Sequence, residues 1–137
     1  MVELARAIAV EAHAGQVDKL GVDYIHHPAW VASQVHTPVQ KAAAWLHDTL
    51  EDSSFSERDL MDRGIPMEVV FIVALLTRRA GIPPEQYYAE IRANEDAKAV
   101  KQADIRHNML GERLALLVEK TRNRLIRKYT YALECLA

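Results

Sequence analysis

The stretch Pro66-Met67-Glu68-Val69-Val70-Phe71-Ile72-Val73-Ala74-Leu75-Leu76 decides the fold class. From Val69 to Leu76 every residue is apolar, so period alone cannot separate a buried strand from a buried helix. A strand here would call for a sheet, whereas a helix completes an all-α chain. Pro66 ahead of the run and the helical patterns on either side favour the helix. Working outward, Ser56 with Asp59 three residues on forms a capping-box-like start, and Gly64 stops the short helix it opens. Further back, Thr37-Pro38 reads as an N-cap followed by proline at the first helical position. That helix carries Ala42, Ala43, Trp45, Leu46 and His47, and Glu51 to Phe55 after it is polar and reads as a loop. Ala5, Ile8, Ala9 and Ala12 share one face of an N-terminal helix ended by Gly15. Residues 16–27 read as a loop, and a short helix from about Pro28 to Val35 follows.

On the C-terminal side, Gly81-Ile82-Pro83-Pro84 is a loop and Glu85 to Ala93 a short helix. Asn94 caps the next helix, which is expected to run to Leu110 before Gly111. Leu114, Leu117, Val118, Thr121, Leu125, Tyr129, Ala132 and Leu136 predict one continuous last helix. Seven or eight helices with short connections make an all-α, compact single-domain bundle over residues 1–137. Composition agrees. Five glycines and five prolines in 137 residues fall below the roughly 12% that the two contribute to an average protein. A formal charge of −2 predicts no nucleic-acid polymer as partner. One cysteine, Cys135, excludes an internal disulfide and a multi-cysteine zinc site, and points to a reducing compartment. No window approaches a membrane span and the N-terminus lacks the apolar stretch of a signal peptide, so the expected location is the cytoplasm.

Six histidines, His13, His26, His27, His36, His47 and His107, hold most of the candidate chemistry. His47-Asp48 lies near a helix end, where two adjacent side chains about 100° apart can both reach an ion beside the helix. Imidazole nitrogen and carboxylate oxygen together suit divalent transition metals. Two further ligands can come from His27 and Asp104, with His26 as an alternative to His27. Glu51-Asp52 follows closely, and acids beside a metal can position water or relay protons. Lys101, Asp104 and Asn108 share a helix face that can combine a cation, a ligand and an amide. His13 and His107 read as packed or hydrogen-bonded support for such a site, and His36 as solvated. The basic run Lys120, Arg122, Arg124, Arg127 and Lys128 reads as a solvated face, one or two of whose members can meet phosphates.

The segment His47-Asp48-Thr49-Leu50-Glu51-Asp52 resembles the His-Asp-x-x-Glu-Asp signature of HD-domain metal-dependent phosphohydrolases. More narrowly it resembles the hydrolase domain of the RelA/SpoT type, which removes pyrophosphate from guanosine tetra- and pentaphosphate. His13 through Gly15-Gln16, Lys19, Gly21 and Tyr24-Ile25-His26-His27-Pro28 is similar to that family's first motif, and Val100 to Met109 to its third. The resemblance implies that His27, His47, Asp48 and Asp104 bind one divalent metal, usually manganese. It implies that Glu51 and Asp52 are the catalytic acidic pair and that Lys19 and Asn108 meet the nucleotide; Lys101 reads either as a second cation for the phosphates or as an ordinary surface lysine. The expected activity is hydrolysis of the 3′-pyrophosphate of a (p)ppGpp-like nucleotide by a small stand-alone hydrolase. The alternatives are a nucleotide phosphomonoesterase on the same scaffold and a nucleotide-binding module without turnover. One residue departs from the pattern. Asp18 stands where the family commonly has an arginine that helps hold the purine, which predicts a weaker preference for guanine.

Overall fold

Residues 67–76 form a helix and not a strand, with Pro66 as its extended N-cap. The computed structural model describes residues 1–137 as ten helical segments: α1 (Val2–Ala12), α2 (His26–Ser33), α3 (Pro38–Leu46), α4 (Thr49–Asp52), α5 (Glu57–Asp62), α6 (Met67–Leu76), α7 (Pro84–Arg92), α8 (Glu95–Asn108), α9 (Gly111–Leu114) and α10 (Glu119–Leu136). The count exceeds the expected seven or eight because two segments are single turns. No strand is present, and extended pairing is limited to one antiparallel bridge between Val17 and Asp23. No helix is long and apolar enough to cross a membrane.

Local chemistry sets the helix starts. The Thr37 side chain accepts the Gln40 N–H, with Pro38 at the first position of α3. Ser56 and Asp59 exchange side-chain and backbone bonds in a full capping box on α5. The Asn94 side chain accepts the Ala97 N–H at the start of α8. α1 ends at Ala12, and the turn beyond it is completed by Gly15 at φ 79°, a conformation that side chains with a Cβ avoid.

α3 lies at the centre, packed against α1, α2, α6 and α8. Its Ala42, Ala43 and Ala44 have no exposed surface, and their small side chains let neighbouring helices approach closely. α6 answers with Val69, Ile72, Val73 and Leu76, while Phe71 and Met67 on its other side face solvent. The i, i+3, i+4, i+7 spacing of the buried residues is that of a helix, and buried branched side chains hold it at about 1.5–3 kcal/mol each. α10 packs across α7 and α8 through Leu125, Ala132 and Leu136.

Three expectations are corrected. Residues 114–136 are not one helix: α9 ends at Leu114, and α10 begins only at Glu119, behind an extended Val118 that is 72% exposed. Of the polar loop read from Glu51 to Phe55, Glu51 and Asp52 are helical, in α4, and only residues 53–55 lie outside a helix. α8 stops at Asn108 and not at Leu110.

Candidate active site

His47 closes the C-terminal end of α3 and Asp48 starts α4, so the tight turn between the helices carries both side chains to one spot. His27, in the first turn of α2, and Asp104, in the third turn of α8, arrive there from two further elements. Asp104 Oδ1 lies 2.9 Å from His27 Nε2 and 3.6 Å from His47 Nε2. Asp48 Oδ2 lies 3.0 Å from His47 Nε2 and 3.8 Å from His27 Nε2. The two Nε2 atoms are 3.2 Å apart. His27, His47 and Asp104 are buried, whereas His26 is exposed, which separates the two adjacent histidines.

The donor set fits a divalent ion. Ligand atoms about 2.1 Å from a shared ion stand about 3–3.4 Å from one another, close to these spacings. His47 Nδ1–H donates to the Ala44 carbonyl at 2.6 Å, so in the neutral ring Nε2 carries the lone pair and points at the cluster. His27 Nδ1 meets His107 Nδ1 at 2.6 Å, which leaves His27 Nε2 aimed at the carboxylates. Burial and the neighbouring His27 push His107 down to about 4, so it is neutral at pH 7, and its ring stacks on Trp30. Both carboxyls titrate low although burial opposes their charge. His47 holds Asp48 at about 2, and Lys101 with the two imidazoles holds Asp104 well below the usual range.

The surrounding groups show why Asp104 is central. Its Oδ2 takes the Lys101 ammonium at 3.0 Å, and Asn108 donates to its Oδ1 at 3.1 Å and its backbone carbonyl at 3.0 Å. Lys101 is thus no free surface lysine: it is largely buried, with its ammonium over the Tyr87 ring. Lys101, Asn108 and the exposed Lys19 all line a cavity of about 550 Å³ whose floor is formed by His27, Asp48 and Asp104.

Glu51 and Asp52 face the same cavity from α4. Glu51 accepts the backbone N–H of Arg78, and the Asp52 backbone carbonyl accepts from Gln16 Nε2 at 2.6 Å, so the last two residues of this one-turn helix are tied down. Burial raises both carboxyls above their ordinary range, with the Asp48 charge adding to it. His13 sits behind them, its Nδ1 on Gln16 Oε1 at 2.8 Å.

Sequence reasoning gives no role to Tyr24, Arg78 or Arg113. The Tyr24 hydroxyl donates to Asp48 Oδ2. Arg78, Arg113, Tyr87, Tyr88 and Tyr129 enter the cavity wall, with Arg124 and Lys128 from the run read as solvated. Tyr24 lies inside the quoted first motif and was a visible candidate, whereas Arg78 and Arg113 carry no local signal.

No family model matches the chain. A segment of 59 residues, 40% of the chain, is 42% identical to a curated guanosine-3′,5′-bis(diphosphate) 3′-pyrophosphohydrolase of Haemophilus influenzae, and spans 9% of that protein's length. A solved structure described as a metazoan ortholog of SpoT that hydrolyzes ppGpp superposes with a TM-score of 0.82. The match covers 98% of this chain and 84% of that one at 20% identity. The two chains share one all-α fold. The clustered His27, His47 and Asp104 are compatible with a divalent metal site.

The contact between His27 and His107 yields a direct test. His107→Phe keeps a ring to stack on Trp30 and deletes the nitrogen that meets His27. Affinity for a divalent ion, measured by competition with a chelating dye, is expected to fall about 10–100-fold with the fold intact. Unchanged affinity would mean that packing alone orients His27.

Proposed function

We propose that the chain is a metal-dependent phosphohydrolase that removes the 3′-pyrophosphate of (p)ppGpp-like nucleotides. The observation that carries this reading is the convergence of two imidazoles and two carboxylates on the floor of a cavity that also holds Glu51, Asp52 and a set of cationic side chains. Both relatives described above are named for action on ppGpp, which supports the same substrate here. His27, His47, Asp48 and Asp104 are the proposed ligands of one divalent ion, taken to be manganese. When bound, such an ion supplies Lewis acidity and eases deprotonation of water near neutral pH.

The remaining work belongs to the side chains. Hydrolysis adds one water across the ester that joins the ribose 3′-oxygen to phosphorus: hydroxide joins the phosphorus and a proton ends on the 3′-oxygen. Glu51 and Asp52 orient the water, take its proton and return it to the leaving oxygen. Their raised carboxyls bring the proton affinity nearer to the working pH than that of an exposed acid. Lys19 offsets phosphate charge, Lys101 holds Asp104 through its salt bridge, and the Asn108 side chain is oriented by its two bonds to Asp104. The products are pyrophosphate and a nucleoside 5′-diphosphate or triphosphate. Residues 1–137 work as one hydrolase domain on a free nucleotide, in the cytoplasm.

Incubation with ppGpp and Mn²⁺, with products resolved by anion-exchange chromatography, is expected to give GDP and pyrophosphate in equal amounts. Good turnover of simple nucleoside monophosphates without cleavage of ppGpp would transfer the assignment to a phosphomonoesterase. Tight ppGpp binding without any turnover would assign a non-catalytic module.

A further inference from the structure

Asp18 and Arg113 are 95 positions apart and meet in the cavity wall. Asp18 belongs to a small closed loop. Its Oδ1 accepts the N–H groups of Leu20 at 2.8 Å and Val22 at 3.0 Å, and the Val17–Asp23 bridge pinches the loop shut. Its second oxygen, Oδ2, stands 3.3 Å from Arg113 Nη2. Both side chains are largely shielded from solvent, Asp18 at 11% and Arg113 at 23% exposure. Burial opposes the Asp18 charge, but the Val22 and Leu20 N–H groups and Arg113 outweigh it and hold the carboxyl below its usual range. Asp18 is therefore a fixed peg, and Arg113 is the group it holds.

A guanidinium has five N–H donors in a plane, and the contact to Asp18 uses Nη2 alone. The remaining donors lie in a cavity wall shared with the apolar Val17, Leu20 and Leu117. Lys19, Arg124 and Lys128 line the same cavity without any ion pair, which leaves their charge for phosphate. Arg113 differs because its charge is already offset by Asp18, and a phosphate placed on it would also meet that carboxylate. What remains is a flat, nearly neutralised fork of donors among apolar side chains. That combination suits an uncharged planar heterocycle with adjacent acceptors.

We infer that Arg113, positioned by Asp18, reads the purine base of the bound nucleotide and favours guanine over adenine; the inference rests on the phosphohydrolase reading above. Guanine presents O6 and N7 as two adjacent acceptors to such a fork, whereas adenine presents one acceptor and an amino donor. Asp18, expected from sequence to weaken guanine recognition, instead delivers a guanidinium from another part of the chain.

The test compares guanosine and adenosine 3′,5′-bis(diphosphates) as substrates, and GDP and ADP as ligands by calorimetry, in the wild type, Arg113→Ala, Arg113→Lys and Asp18→Asn. The wild type is expected to favour guanine about tenfold to a hundredfold in kcat/KM, mostly in KM, and to prefer GDP over ADP likewise. Arg113→Ala should bring both ratios close to one with metal content unchanged. Arg113→Lys keeps the ion pair and the wall but not the fork, so it should lose the ratio as well; it also serves as the folded comparison if the alanine variant misfolds. Asp18→Asn retains the acceptor for Leu20 and Val22 and loosens Arg113, giving an intermediate ratio. A wild-type ratio near one, or a preference that survives in Arg113→Lys, overturns the inference. If neither bis(diphosphate) is hydrolysed, the proposed reaction fails, and the GDP and ADP affinities still decide the role of Arg113: equal affinities, or no binding of either, overturn it.

Discussion

Asp104→Ala is expected to abolish retention of a divalent ion and to lower turnover by roughly a thousandfold or more. A metal acting as Lewis acid contributes several kcal/mol to the transition state, and each 1.4 kcal/mol or so is tenfold in rate. The substitution removes the carboxylate that stands 2.9 Å from His27 and 3.6 Å from His47. It also strands Lys101, whose ammonium has its salt bridge to Asp104 in a largely buried place. An unpaired buried charge is costly, so Asp104→Asn, which keeps size and some hydrogen bonding, belongs beside it. Elemental analysis after gel filtration reads metal content, and a melting curve reads the fold. Stripping the ion from the wild type should lower the melting temperature by mass action. Full metal occupancy in Asp104→Ala would remove this residue from the ligand set.

The acidic pair gives the second large effect. Glu51→Gln and Asp52→Asn keep shape and remove basicity, and each is expected to cost about 10²–10⁴-fold in kcat, with metal content retained. Stability should behave differently from activity. Both carboxyls are raised in the folded protein, so the fold binds their protons more tightly than the unfolded chain does. Such a group contributes least to stability above its folded pKa, where it is charged, and neutral amides at these positions should leave the melting temperature at pH 7 unchanged or higher. Turnover within a few-fold of wild type in both variants would make the pair a polar turn without a catalytic role.

What the sequence makes legible is mostly what neighbours in the chain settle among themselves. Thr37, Ser56 with Asp59, and Asn94 cap helices through groups three residues away, so their roles can be read without a fold. The α6 run is legible through its length and its proline. The stripe from Leu114 to Leu136 misleads because period is a proxy for burial. Leu117 does face the cavity, but from the bend between α9 and α10, and Val118 next to it faces water. Thr49 to Asp52 is a single turn, too short to show any period. At the site, adjacency marks His47-Asp48 and Glu51-Asp52, and the quoted motifs mark His27 and Asp104. The choice between His26 and His27 needs burial, which only packing supplies. Arg113 is the clearest case of an illegible residue. Its partner is 95 positions away, and nothing in Gly111-Glu112-Arg113-Leu114 announces it.

The division of charge within the cavity bears on how the proposed nucleotide substrate arrives. The chain as a whole carries −2, which weakly repels a polyanion at long range. Its cavity nevertheless gathers Lys19, Arg78, Arg124 and Lys128 outside any ion pair, while Lys101 and Arg113 are paired with Asp104 and Asp18. Beyond a Debye length of about 8 Å at physiological salt, the approaching ligand senses little of either charge set. Inside that distance the cationic side chains dominate its path and low-dielectric walls focus their field. Capture is therefore a short-range affair. Added salt slows the final step of entry more than the diffusive search that precedes it, and a single lysine or arginine at the mouth governs the association rate more than the protein's overall charge does.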